Sequence, residues 1–469
     1  MTTLTAPTAR SSASAFLQSI NPATGEVVGQ VPVTPAANIA SVVARARAAS
    51  RAWRNLGFAG RRAAILPAGA KLVARCEELG LLLTREMGKP LAEGISEVRN
   101  CGLSMEGRIA DIVAALEPDT LEDKDIRSTV YHDPFGVCAA ITPWNFPMSM
   151  CHSLVIPALM AGNTVVLKPS EETPLIAQAY VDVLNETLPK DALQIVHGAD
   201  EQGRALVDSD VDLIAFTGSR ATGVKIMAAA SNNLKRVILE LGGKDPLIVL
   251  ADADVAKAAE FAVHNSFRNA GQVCVSTERI YVEEAVADLF EQEVAKRAAA
   301  LKVGPGVDEG VKVGPMINRR QKEWVLKQIE SAVKQGARVL AGGAPASATN
   351  DNFVKPTVLA GLNQKMDIMH EETFGPVACI VRVKNADEAV ALANDTPYGL
   401  GASVFGTDVQ QAAEVGRRLD AGMIGINKGC YGAAGSPWVG AKQSGYGWHS
   451  GKEGHRQFTQ PRVVSVPKQ

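Results

Sequence analysis

Val137-Cys138-Ala139-Ala140-Ile141-Thr142-Pro143-Trp144-Asn145-Phe146-Pro147 begins the stretch that decides the fold, a short apolar run ending in a polar turn. Four more such runs follow: Thr164 to Leu167, Leu193 to Val196, Asp212 to Phe216 and Arg236 to Leu241. Segments with helical spacing separate them, near 148–160, 174–187, 201–208 and 221–231. The second of these opens with Thr173 and Pro174, a cap residue followed by a first-turn proline. Strands alternating in this way with helices predict an α/β, doubly wound parallel sheet. Ligands bind such sheets beyond the carboxyl ends of the strands, so the turns after the runs are where chemistry is expected.

Working outward, residues 36–118 are rich in Ala, Leu and Arg at helical spacing and read as helices packed around that sheet. After it a second alternation starts with Pro246 to Leu250, helix 254–268, Arg279 to Glu283 and helix 285–300, and continues to about 430. This predicts a second α/β domain. Thr129 to Tyr131 and Val463 to Val466 are short strand-like pieces whose open edges would invite pairing with another subunit.

The chain has 469 residues, enough for two to four units, and a formal charge of −2, which gives a nucleic acid no reason to bind. No run approaches the ~18 uncharged apolar residues of a membrane span. Seven scattered cysteines, an odd number, do not form a disulfide framework and point to a reducing compartment, taken as the cytoplasm. No C-x-x-C, H-E-x-x-H or Cys/His cluster implies a metal. Residues 2–15, with one Arg and no acid, read as a disordered tail rather than a transit peptide.

The usual G-x-G-x-x-G, P-loop and G-x-S-x-G patterns are absent. Phe216-Thr217-Gly218-Ser219 instead leads a strand through a glycine turn into a helix whose free N–H groups could face a phosphate. By itself such a glycine is more often only a turn. Glu240-Leu241-Gly242-Gly243-Lys244 offers a carboxylate at a strand end and a backbone that a flat ligand could approach closely, or simply a solvated Glu before a turn. Gly271-Gln272-Val273-Cys274 presents one cysteine after a glycine, although most free cysteines are buried small hydrophobes. His370-Glu371-Glu372-Thr373-Phe374-Gly375-Pro376 joins acids and a ring, suited to a ribose and a planar cofactor if not merely solvated.

Together, Pro143-Trp144-Asn145-Phe146-Pro147, Lys168-Pro169-Ser170-Glu171, Phe216-Thr217-Gly218-Ser219, Glu240 to Lys244, Gly271 to Cys274, Glu372 to Pro376 and Lys442-Gln443-Ser444-Gly445-Tyr446-Gly447 occur in an order that resembles the aldehyde dehydrogenase superfamily over nearly the whole chain. Asn394-Asp395-Thr396-Pro397-Tyr398-Gly399-Leu400 and the length are most similar to its semialdehyde and aromatic-aldehyde members. The resemblance implies a Rossmann-like NAD-binding domain (1–125 and 145–243), a catalytic domain (244–436) and a small β oligomerisation arm (126–144 and 437–469). It implies that Cys274 attacks the aldehyde to give a thiohemiacetal and then a thioester, that Asn145 and the Cys274 N–H hold the oxyanion, and that Glu240 activates water. It also implies a cofactor site made by Trp144, Lys168, Ser170, Glu171, Gly218, Ser219, Leu241, Glu372 and Phe374. A carboxylate at 171 beside the ribose would repel a 2′-phosphate, which favours NAD over NADP.

Where relatives commonly read Pro-Phe-Gly-Gly this chain has Pro437-Trp438-Val439-Gly440, and Trp448 replaces an Arg that usually follows Gly-x-Gly. The expected tunnel residues, Phe146, Met150, Ser153, Val273, Val275 and Tyr431, are mostly apolar with no carboxylate-binding arginine among them. They suggest an apolar or aromatic aldehyde, with a semialdehyde such as succinate semialdehyde kept open. The alternatives are an acylating enzyme that passes the thioester to coenzyme A, disfavoured by Glu240, and an inactive structural homologue. Assembly as a homodimer or homotetramer is expected.

Overall fold

The computed structural model describes residues 15–343 and 351–468; the expected disordered tail lies outside them except for Ala15. Five parallel strands form the first sheet in the spatial order Arg236–Glu240, Leu213–Thr217, Val137–Ile141, Thr164–Lys168, Leu193–Ile195. Val137–Ile141 is buried at every position. Its alternate residues feed two cores: Cys138 and Ala140 pack with the helices of one face, Val137, Ala139 and Ile141 with those of the other. That two-sided burial makes the sheet doubly wound. The sequence division assigned this strand to the arm; it is instead the strand from which the order runs both ways. The turns after it and after Leu213–Thr217 therefore flank the switch point where such sheets take ligands.

The short strand Gly445–Tyr446 pairs antiparallel with Arg236–Glu240, opposing Gly445 to Glu240. The second sheet has seven strands in the order Arg338–Ala341, Thr357–Ala360, Val377–Val383, Thr277–Glu283, Asp245–Val249, Gly401–Phe405 and Met423–Ile426, parallel except at the first pair. Only residues 241–244 separate Glu240, at the end of the first sheet, from Asp245, at the start of the second. The carboxyl end of one sheet thus meets the amino end of the other. Thr459–Pro467, Ile126–Pro134 and Asp119–Glu122 form a separate antiparallel sheet, the long pair in register over nine residues. It exposes Leu121, Val463, Val464 and Val466. Among the described residues no helix is long and apolar enough to cross a membrane.

Candidate active site

Asn145 ends the turn that follows Val137–Ile141, immediately before the helix Pro147–Ala161. The buried Lys89 ammonium donates to its backbone carbonyl at 2.9 Å, and Asn269 Nδ2 donates to the same oxygen at 3.0 Å. Lys89 also pairs with Glu97 at 2.6 Å, with both side chains almost fully buried. Glu97 in turn accepts the N–H groups of Met148 and Ser149, capping the helix from a distant part of the chain. The Asn145 side chain donates to the Gln272 carbonyl at 3.1 Å, while its buried Oδ1 has no partner.

Cys274 is held by a loop whose backbone few residue types tolerate. Asn269, Ala270 and Gly271 all have positive φ, at 52°, 56° and 71°. Gln272 ties the loop down: its side-chain amide donates to the Asn269 and Pro315 carbonyls, and its Oε1 accepts from the Ile317 N–H. Of the seven cysteines six are buried, and Cys274 alone is partly exposed.

Glu240 faces the thiol and is 5% exposed. Burial pushes its carboxyl up to about 7, against the pull of the Cys274 thiol, the Trp438 indole and the Thr217 hydroxyl. Trp438 Nε1 donates to Glu240 Oε1 at 3.3 Å, and Oε2 has no well-formed hydrogen bond. The thiol is raised well above its ordinary value by burial and then by the adjacent Glu240 charge. The Glu240 charge therefore opposes ionisation of the thiol beside it.

The expected cofactor residues lie around the ends of the first sheet. Trp144 and Phe374 meet edge to face at 5.5 Å, Phe374 with φ of 48°. Ser219 caps the helix Arg220–Ser231, accepting from the Thr222 N–H. Lys168 is buried, donates to the Pro169 carbonyl and lies 4.0 Å from the half-buried Glu171. Ser170 accepts from the Glu172 N–H, closing the turn. Leu241 packs beneath the helix at Gly223, where a Cβ would come within 2.5 Å of it.

A Cβ at Gly242 would likewise meet the Glu372 carboxylate at 2.4 Å, so the glycine lets that carboxylate lie close against the backbone. Glu372 accepts from the Gly243 N–H at 3.2 Å. Burial and then the Glu278 charge push it up to about 8. A half-buried acid facing a glycine cradle, close to a ring pair, fits the hydroxyls and planar ring of a dinucleotide. Lys244 serves to position this segment: it pairs with Glu278 at 2.5 Å, and Glu278 accepts the N–H groups of Thr373 and Phe374.

Phe146, Val273, Val275 and Trp438 gather with Cys274 in one apolar cluster, and Tyr431 joins through a ring contact with Trp438 at 5.6 Å. Val273 and Val275 are buried beneath the thiol. Met150 and Ser153 have no described contact with this cluster; the Ser153 hydroxyl donates to the Met150 carbonyl. The sequence reading missed Arg268. Its guanidinium lies 5.4 Å from the centre of the Phe146 ring and donates to the Tyr431 hydroxyl at 3.3 Å, with no ion pair among the described residues. The six expected tunnel residues include no arginine, and Arg268 adds one beside two of them. Arg268 sits at the C-terminal cap of the helix Val255–Phe267, just before the left-handed turn at Asn269 to Gly271. Lys89, Glu97 and Asn269 were also missed, although Met87-Gly88-Lys89-Pro90 marks a helix stop just before the lysine.

Residues 9–464 match the pattern of the Aldehyde dehydrogenase family. A probable succinate-semialdehyde dehydrogenase [NADP(+)] of Sinorhizobium fredii is 38% identical over 95% of this chain and 92% of its own. A glutarate-semialdehyde dehydrogenase of Pseudomonas putida is 38% identical over 95% and 93%. The crystal structure of an NAD-dependent aldehyde dehydrogenase from Sinorhizobium meliloti superposes with a TM-score of 0.94 at 35% identity, covering 97% of this chain and 92% of that one.

Proposed function

The chain belongs to the aldehyde dehydrogenase family and oxidises an aldehyde to the carboxylic acid with NAD(P), and from this premise we propose that Cys274 is the nucleophile, Glu240 the general base and Asn145 an oxyanion donor. One observation carries the assignment: the single cysteine that is not buried faces a buried carboxylate. Glu240 takes the thiol proton, and the sulfur adds to the aldehyde carbon. The second N–H of the Asn145 amide and the Cys274 backbone N–H meet the oxygen that becomes charged; losing one such donor costs about 10²- to 10³-fold in rate. Bound in this site, NAD(P) would supply the acceptor for the hydride that this carbon gives up. Glu240 gives the thiol proton up to solvent and, again ionised, takes a proton from water as the water oxygen adds to the thioester carbonyl; the C–S bond breaks, and Cys274 leaves as the thiolate. A carboxyl near 7 is matched to both proton transfers at neutral pH.

Trp144, Gly218, Ser219, Glu372 and Phe374 would hold the cofactor, with Lys168 and Glu171 at its adenosine ribose. NAD is preferred over NADP because the Glu171 carboxylate accepts hydrogen bonds from ribose hydroxyls and repels a phosphate. The substrate is a semialdehyde with a carboxylate at its far end. The unpaired Arg268 beside Phe146 and Tyr431 supports this reading over the plain apolar aldehyde, as do the semialdehyde names of the two relatives. The exposed apolar residues of the antiparallel sheet support assembly into a homo-oligomer.

The experiment is Cys274→Ala with Glu240→Gln. Cys274→Ala abolishes turnover and keeps cofactor binding; substantial residual activity rejects the nucleophile. Glu240→Gln removes steady-state turnover. Raising the pH restores its NAD(P)H burst, because the thiol then ionises beside a neutral amide, but does not restore hydrolysis. Normal steady-state turnover rejects the base. Free acid as the product in the presence of coenzyme A excludes acyl transfer.

A further inference from the structure

Trp438 brings to the site an indole N–H, a hydrogen-bond donor. The residue is held through its backbone and by two ring neighbours. Its backbone pairs with His449 in the two-stranded ribbon of Trp438–Val439 and Trp448–His449. Its plane stacks on the His449 imidazole at 6.1 Å and 13°, and its other neighbour is Tyr431 at 5.6 Å. His449 is anchored by a 3.0 Å hydrogen bond between Nδ1 and the Ser450 hydroxyl. The indole N–H that emerges from this stack ends on Glu240 Oε1.

We propose that Trp438 is a positioning residue for Glu240: its indole N–H holds one carboxylate oxygen and leaves Oε2, which forms no well-shaped hydrogen bond among the described residues, to exchange protons with Cys274 and with water. This rests on the reading of Glu240 as the base. A carboxylate on a flexible two-carbon stem otherwise samples several rotamers, and a donor aimed at one oxygen selects among them. The same donor favours the ionised form, so it lowers the pH at which the base becomes active.

The other titratable groups around Glu240 are the Cys274 thiol and, farther off, the Glu372 carboxylate. Behind Trp438, His449 is pushed down to about 3 by burial and by Arg108 and His455, so it stays neutral and contributes no charge of its own near pH 7.

The test follows acyl-enzyme hydrolysis after the NAD(P)H burst as a function of pH, in wild type, Trp438→Phe, Glu240→Gln and the double variant. Trp438→Phe is expected to move the acid limb of hydrolysis upward by about half to one pH unit, since a lost donor to the charged form favours protonation. At pH 6.5 hydrolysis slows roughly three- to tenfold, while the KM for the cofactor is unchanged. In the Glu240→Gln background the same substitution adds no further loss. An unmoved limb, or a loss equal at every pH, overturns the positioning role and leaves the base assignment standing. Additive losses in the double variant do the same. Hydrolysis at the wild-type rate in Glu240→Gln overturns the base reading itself, and with it this one.

Discussion

Lys89→Met removes an ammonium that touches both the fold and the proposed oxyanion donor. In the wild type the Lys89 Nζ lies 2.6 Å from Glu97, 2.9 Å from the Asn145 carbonyl and 3.9 Å from the centre of the Phe146 ring. The variant leaves the Glu97 carboxylate buried without a cation, a change that usually costs about 3–5 kcal/mol. Glu97 keeps the Met148 and Ser149 N–H groups, which puts the cost at the lower end, about 3 kcal/mol. For a chain of 469 residues the unfolding entropy is roughly 1 kcal/mol/K, so Tm drops by about 3 °C. Asn145 loses one of the two donors to its carbonyl and keeps Asn269. A complete loss of the amide would cost about 10²- to 10³-fold, so loosened positioning is expected to lower kcat by about tenfold. The discriminating variant is Lys89→Met with Glu97→Gln. It removes the orphan charge, leaves an acceptor for the helix N–H groups, and brings stability back to within about 1 kcal/mol of wild type. The Asn145 carbonyl still lacks the Lys89 donor, so kcat stays low. Thermal unfolding and initial rates of NAD(P)H formation read the two effects separately. A wild-type kcat in Lys89→Met, or a kcat restored by the double variant, refutes the argument that Lys89 positions Asn145.

Glu171→Gln is expected to raise kcat/KM with NADP relative to NAD by removing the carboxylate that repels the 2′-phosphate; an unchanged ratio rejects Glu171 as the discriminating group. Arg268→Met should raise KM for a semialdehyde bearing a carboxylate by roughly 10-fold or more, corresponding to about 1.5–3 kcal/mol for a charged hydrogen bond, with little change for an uncharged aldehyde of equal length. Equal effects on both substrates would remove Arg268 from recognition. Glu86 is fully buried and accepts the N–H groups of Leu175 and Ile176 at the start of the helix Pro174–Asn185. Glu86→Ala leaves two buried donors unpaired and should cost about 2–4 kcal/mol in denaturant unfolding. Burial raises the Glu86 carboxyl to about 7. The folded state therefore binds more protons than the unfolded one between roughly pH 4.5 and 7, and this group's contribution to stability falls as pH rises through that window. A pH dependence in that window unchanged by Glu86→Ala would count against it.

That glutamate also marks where local reading stopped. The first-turn proline located the helix Pro174–Asn185, and Thr173 does stand at its cap position, yet the Thr173 hydroxyl makes no cap bond and is left unpartnered. Glu86, on the helix Cys76–Met87, accepts the free N–H groups instead. Glu97 does the same for the helix after Asn145. Caps supplied across the fold leave no mark in the residues beside the helix, whereas a local Ser, Thr or Asp does, as at Ser219.

The sequence by itself determined the five-strand alternation from Val137 to Glu240, the second α/β region, the short strand-like pieces at 129–131 and 463–466, and the motif series that marks the family. Continuous apolar runs, strand-terminal turns and residue order along the chain are all local or linear signals. The tertiary structure alone decided that Val137–Ile141 lies between strands on both sides, that Lys89 and Asn269 converge on one carbonyl, that Arg268 reaches Phe146 and Tyr431, and that the Trp438 indole ends on Glu240. Each of these depends on side chains from elements far apart in the chain meeting within a few ångströms, and that meeting is settled by how the two sheets pack end to end.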